Sequence, residues 1–256
     1  MPEVNGPNPG HFAWIELATS DPDAAKKFYS DVFGWFAKEN DMGDFGVYYI
    51  FQKNDRDVAA MYKLMPEQTK AGVPPNWLSY VGLANADDAA AKARELGATI
   101  MQPVFDVMDF GRMAVIQDPQ GAVFAIWESK KHWGVTIRDE ANTLCWNELA
   151  TRDAAAARDF YSKLFGWTFK VSEQYSEIYI GETGIGGVRT LNEGEQAPPN
   201  WMPYFMADSV DATTAKAQGA GATVYVPPGD IPGTGRFSVL ADPQGAVFAL
   251  YQPAAK

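Results

Sequence analysis

The sequence predicts an α+β protein of two tandem domains, each built from two β-α-β-β-β modules that form a half-open, curled mixed sheet with its helices outside. Three observations predict this. Residues 118–125 read DPQGAVFA and residues 242–249 repeat all eight letters 124 positions later, a match too long for coincidence, so the chain is a duplication. Pro74-Pro75-Asn76-Trp77 recurs at the same offset as Pro198-Pro199-Asn200-Trp201, and Gly111-Arg112 as Gly235-Arg236, whereas FYSDVFGW at 28–35 recurs as FYSKLFGW at 160–167, an offset of 132. The first half therefore carries eight additional residues, all between 36 and 73. Finally, a strand pattern, an amphipathic helix and three further strands occur twice in each half.

Taken in order, residues 1–10 are polar and rich in Pro, Gly and Asn, which reads as a flexible arm and not as a secretory signal. Residues 12–18 form an apolar strand interrupted by Glu16, and Ser20-Asp21-Pro22 supplies a helix cap with proline in the first turn. Ala25, Phe28, Tyr29, Val32 and Phe33 then fall on one helical face, closed by Gly34. Strands follow at 35–38, 46–53 and 57–64. A polar connector spans 65–75. The second module reads as a strand at 77–83, a helix at 87–96 capped by Gly97, and strands at 99–101, 111–116 and 122–127. In DPQG the proline presets φ and the glycine permits a turn into the final strand.

Residues 129–142 link the halves, and the second half repeats the scheme: strand 143–150, helix 154–165 stopped by Gly166, three strands to 191, strand 201–207, helix 210–220, and strands 223–226, 236–240 and within 242–249. The expected division is thus an arm at 1–10, a first domain at 11–128, a linker at 129–142 and a second domain at 143–253. Gly184-Ile185-Gly186-Gly187 lacks the strand-turn-helix setting of a phosphate loop and reads as a turn.

The formal charge of −11 excludes a nucleic-acid or anionic-membrane surface, since either needs a clustered basic face. Lys130-Lys131-His132 is the one basic run, and it reads as solvated linker charge. A single cysteine, Cys145, forbids an intrachain disulfide, and no apolar stretch approaches 18 residues, so the expectation is a soluble, cytoplasmic chain.

The module order, the pattern Ser-Asp-Pro-x-x-Ala-x-x-Phe-Tyr-x-x-x-Phe-Gly-Trp after the first strand, and the closing Asp-Pro-x-Gly strand resemble the vicinal oxygen chelate superfamily. That group contains glyoxalase I, the bleomycin-resistance proteins and the extradiol dioxygenases, and the chain looks most like its tandem glyoxalase-like members. The resemblance implies a groove in each curled sheet and a divalent metal held there by His, Gln or Glu side chains from four strands. Counted from the family landmarks, however, the ligand positions fall on Trp14 and Trp146, Leu78 and Met202, and Ala125 and Ala249. The strands that close the first modules, 58–64 and 187–191, hold no histidine or carboxylate. A catalytic metal needs about three imidazole, thiolate or carboxylate ligands. His11 and Glu128 lie three residues from ligand positions, so strand alternation turns them to the opposite face. The reading is therefore of no metal and no cofactor.

The same alternation supplies a lining. Trp14, Glu16, Tyr80 and Trp127 face the first groove, and Trp146, Glu148, Tyr204 and Tyr251 the second; Arg112 and Arg236 start their strands after a glycine that leaves their facing open. Repeated aromatics in strands also serve as plain core, and a repeated Glu with a repeated Arg as a structural ion pair. A carboxylate in an aromatic space is costly unless paired, which favours a ligand-binding use, with Glu16 and Glu148 as acceptors or general bases. Cys145, one position before Trp146, should face away as an inert thiol. The expectation is a metal-independent small-molecule binder, a monomer with pseudo-twofold halves or a loose homodimer. A lyase or oxygenase with an unusual metal site, and an interaction protein using a pseudo-symmetric aromatic interface, are the alternatives.

Overall fold

The computed structural model describes residues 3–43, 46–173 and 175–254. The first module comprises β1 (Phe12–Thr19), α1 (Pro22–Phe33), β2 (Phe36–Asp41), β3 (Val47–Lys53) and β4 (Arg56–Lys63). After a short helix α2 (Pro66–Lys70), the second comprises β5 (Asn76–Leu83), α3 (Ala86–Glu95), β6 (Thr99–Val107), β7 (Gly111–Gln117) and β8 (Val123–Ser129). The second half repeats this as β9 (Leu144–Thr151), α4 (Ala154–Phe165), β10 (Thr168–Val171), β11 (Tyr175–Ile180), β12 (Thr183–Thr190), β13 (Asn200–Met206), α5 (Val210–Gly219), β14 (Thr223–Ile231), β15 (Gly235–Ala241) and β16 (Val247–Pro253).

Local chemistry accounts for the helix ends. Asp21 caps α1 by accepting from the Ala24 N–H at 3.1 Å, Pro22 opens the first turn, and Gly34 leaves it at φ 72°. Two expectations change. The connector at 65–75 carries α2, and Gly184–Gly187 belong to β12 and not to a turn. Glycine is needed there for space: a Cβ at Gly187 would stand 1.9 Å from the Tyr175 hydroxyl.

Each half makes one eight-stranded mixed sheet, ordered β2-β3-β4-β1-β5-β8-β7-β6 and β10-β11-β12-β9-β13-β16-β15-β14. In both, the opening strands β1 and β5, or β9 and β13, meet antiparallel at the centre, and each runs parallel to the last strand of its own module. The helical faces of the two sheets are packed together. One core joins α1 and the first module to β13, α5 and β16; the other joins α3 and the second module to β9, α4 and β12. Both cores are shared between the halves.

The repeated motifs meet in this shared layer. The Tyr29 hydroxyl donates to Asp242 at 2.9 Å and accepts from the Trp77 indole at 3.1 Å; Tyr161 donates to Asp118 at 2.8 Å and accepts from Trp201 at 2.9 Å. Each aspartate also accepts the N–H groups of its own DPQG turn. Thus Phe-Tyr, Pro-Pro-Asn-Trp and Asp-Pro-Gln-Gly are three parts of one interlock that crosses from half to half. The Ser79 hydroxyl donates to Asn147 Oδ1 at 2.7 Å, bridging the two sheets. Among the described residues, no helix is long and apolar enough to cross a membrane.

Candidate functional site

The concave face of each sheet carries its own cluster, separate from the shared cores. In the first groove, cross-strand pairing sets Trp14 beside Tyr80, Glu16 between Ala60 and Leu78, and Tyr80 beside Ala125. Glu16 accepts from the Tyr48 hydroxyl at 2.7 Å and from Tyr80 at 2.9 Å, and Tyr48 accepts from the Trp14 indole at 3.2 Å. Burial pushes the Glu16 carboxyl above its ordinary range, although both tyrosine bonds pull it down. The Tyr62 hydroxyl is pushed up to about 12, by burial first and then by the charge of Glu16.

The second groove keeps this arrangement with one exchange. Trp146 donates to Tyr175 at 2.9 Å, and Tyr175 and Tyr204 direct their hydroxyls to Glu148. Where the first half has Tyr62, the second has Arg189, whose Nε lies 3.2 Å from Glu148 Oε1 and whose Nη atoms hold Glu195 at 2.7 and 3.1 Å. Burial still raises the Glu148 carboxyl, against the lowering by Arg189 and the two tyrosines.

The grooves differ most in what covers them. Residues 132–135 of the linker fill the first. His132 stands edge-on to Trp14 at 4.8 Å, its carbonyl accepts from the Trp127 indole at 2.8 Å, and Val135 is 2% exposed among the groove residues. Gly134, at φ 115°, passes so close to β1 that a Cβ would lie 2.0 Å from the Ala13 carbonyl oxygen. The basic run read as solvated charge is therefore divided: Lys130 pairs with Asp106 at 2.5 Å and Lys131 with Asp109, while His132 is inserted between two tryptophans. Residues 3–10, expected as a flexible arm, are tied down. Val4 N–H donates to Thr136, the Trp133 indole to Val4, Gly10 N–H to Gly82, and the Trp167 indole to Gly10. Met1 and Pro2 lie outside the described residues.

In the second groove, Trp146, Met206, Phe237, Val239 and Tyr251 stay partly exposed around Glu148, and the cluster contains strand residues alone among those described.

Of the expected lining, Trp14, Glu16, Tyr80 and Trp127 come together in the first groove, and Trp146, Glu148, Tyr204 and Tyr251 in the second. Arg112 and Arg236 do not. Met113 and Phe237 take the groove side of their strands, so alternation sends each arginine to the helical side. There Arg112 pairs with Asp87 and Asp106, and Arg236 with Asp211 and Asp230. Cys145 is a second correction. A bulge between Leu144 and Trp146 adds one residue to β9, so Cys145 joins the groove cluster, with its thiol directed to the Tyr204 carbonyl and raised in pKa by burial. Sequence reasoning missed Tyr48, Tyr175 and Arg189. Their strands lie at an offset of 127, between the two landmark offsets, and alternation of the Tyr48-Tyr49-Ile50 run was the available signal.

The donor set does not fit a divalent ion. Each groove offers one carboxylate; in the first both its oxygens accept tyrosine hydroxyls, and in the second a guanidinium already stands where positive charge would go. No group of three or more His, Cys, Asp or Glu side chains converges among the described residues.

The model of the Glyoxalase/Bleomycin resistance protein/Dioxygenase superfamily matches residues 10–126 and again 143–250. A Mycobacterium tuberculosis protein named as a glyoxylase, CFP32, is 39% identical over 261 residues, covering 99% of both chains. The anthracycline biosynthesis protein DnrV of Streptomyces peucetius is 31% identical over 258 residues, covering 95% of this chain and 94% of DnrV. Among solved structures, the Mn(II)-bound glyoxalase of Novosphingobium aromaticivorans superposes with a TM-score of 0.67 at 15% identity, covering 98% of this chain and 83% of that one.

Proposed function

From the premise that the chain belongs to the Glyoxalase/Bleomycin resistance protein/Dioxygenase superfamily, we propose that it is a metal-independent, cytoplasmic monomer that binds a flat aromatic small molecule in its second groove. One observation carries the reading: the same Trp-Glu-Tyr-Tyr cluster is sealed by the linker in one half and left under a partly exposed aromatic rim in the other. Trp146, Phe237 and Tyr251 are partly exposed rings against which a planar ligand can pack. Arg189 and Glu148 provide a charge-assisted pair at the groove floor that a ligand carbonyl or carboxylate can enter. Glu148 is the carboxyl at the groove floor, raised by burial above its ordinary range, so it is the group for any acid–base step. The name of DnrV, an anthracycline biosynthesis protein, supports a polycyclic aromatic ligand.

The test is a titration with a hydroxyanthraquinone carboxylate, followed by tryptophan fluorescence and calorimetry. Saturable one-to-one binding is expected, weakened at least about tenfold, or ~1.4 kcal/mol, in Trp146→Ala and Arg189→Met. Absence of saturable binding, or wild-type affinity in both variants, rejects the site.

A further inference from the structure

The linker is held in the first groove by a specific set of contacts. In the first half, Ala13, Arg56 and Asp57 form a ledge on which the linker lies. Val135 N–H donates to the Ala13 carbonyl at 2.8 Å; Thr136 N–H donates to the Asp57 carbonyl at 2.9 Å, and its hydroxyl accepts from Asp57 N–H at 2.8 Å; Arg56 donates to the Thr136 carbonyl at 2.8 Å. The His132 ring then enters the groove against Trp14, with Nε2 buried, unpartnered and 3.8 Å from Asp57 Oδ2. The linker is thus a ring joined to an extended amide, held by ledge and groove together.

Strand pairing gives the counterparts. Asp57 opposes Gln52 as Gly184 opposes Tyr179, so Thr183 and Gly184 stand in the second half where Arg56 and Asp57 stand in the first. Trp146 replaces Trp14, and its ring edge lies 3.5 Å from where a Gly184 Cβ would be. Beside the groove, with Gly184 as the residue that adjoins Trp146, there is an open cleft of about 560 Å³ between Thr183–Ile185 and residues 3–8, lined also by His11, Arg138 and Asp139. That volume suits a small ligand. Among the described residues, no backbone bond like the Thr136–Asp57 pair is made at Gly184. Across the space, Arg138 engages Asp139 through Nε at 3.0 Å and reaches the Phe12 carbonyl through one Nη at 3.5 Å, which uses few of its five donors.

We infer that the cleft at Gly184 takes the amide-bearing arm of a ligand whose flat ring lies against Trp146, so that the second groove binds peptide-like aromatics in the way the first binds the linker. The arm adds a short extended pairing at the start of β12, where residues 183–184 precede the first described β9 pair at Gly187, in the manner by which sheets accept outside strands. This rests on the second groove being a ligand site and names the ligand class.

The probe is the capped peptide Ac-KKHWGVTI-NH2, which copies residues 130–137, titrated into the full chain by calorimetry and by NMR of the indole N–H signals. One-to-one binding is expected, with the Trp146 signal shifted. Affinity should fall at least tenfold in Gly184→Leu, which fills the cleft, and similarly when the peptide's histidine is replaced by alanine. Gly184 is exposed and a Cβ there meets only ordinary contacts, so the variant should fold, as circular dichroism can verify. If the anthraquinone binds and the peptide does not, or binds Gly184→Leu equally well, the inference is wrong and the groove reading stands. If neither binds, both are wrong.

Discussion

Glu16 lies between the Tyr48 and Tyr80 hydroxyls, and burial raises its carboxyl above the ordinary range. For an acid whose folded pKa exceeds its unfolded value, the stabilising contribution is complete below the unfolded pKa, about 4.3, and is lost as pH rises through the folded one. Glu16→Gln imitates the protonated side chain at every pH. Its stability relative to wild type should therefore rise as pH increases through that window, measured by urea denaturation at several pH values; a flat difference would show that the folded and unfolded pKa values coincide. Arg189 gives Glu148→Gln a different outcome, because the variant leaves the guanidinium without one of its two carboxylates. Parity found both glutamates in the sequence because each is two residues from a landmark-fixed tryptophan. It missed Arg189, whose strand no landmark fixes, and it could not place Arg112 and Arg236, whose partners Asp87 and Asp211 belong to the helices across the sheet face.

At the scale of elements, the linker segment 132–135 converts one of two similar grooves into packed interior, and Gly134 is the residue that allows it. Its φ of 115° disfavours any side chain, and a Cβ would collide with the Ala13 carbonyl. Gly134→Ala should cost roughly 1–3 kcal/mol, from strain and partial loss of the Val135 and His132 contacts. For a chain of this size that lowers the melting temperature by about 2–4 °C per kcal/mol. Hydrogen exchange should localise the added opening to residues 132–137 and β1; a loss of protection spread evenly over both halves would contradict the local origin. None of this was visible in a linker that reads as polar and charged. The strands and helices were visible, because apolar periodicity and the Gly34, Gly97 and Gly166 stops are local signals. The bulges that bring Ala13 and Cys145 to the groove side depend on pairing with β5 and β13, which local patterns do not encode.

Across the whole molecule, the duplication was legible but its interlock was not. Identical motifs in each half are as compatible with bonds inside a half as with bonds between halves, and Tyr29 finds Asp242 across 213 positions of chain. Because each core draws on both halves, neither sheet buries its helical face alone. The chain should therefore unfold as one cooperative unit, with far-ultraviolet circular dichroism, tryptophan fluorescence and calorimetry giving coincident transitions. Tyr29→Phe probes the coupling directly. It leaves Asp242 without its side-chain donor and Trp77 without its acceptor, at a cost of about 1–3 kcal/mol. If the halves are one unit, the variant moves the single transition to lower denaturant without splitting it, and signals from the second core, around Tyr161 and Trp201, shift together with those around Trp35 and Trp77. Independent halves would instead produce two transitions, of which only one responds.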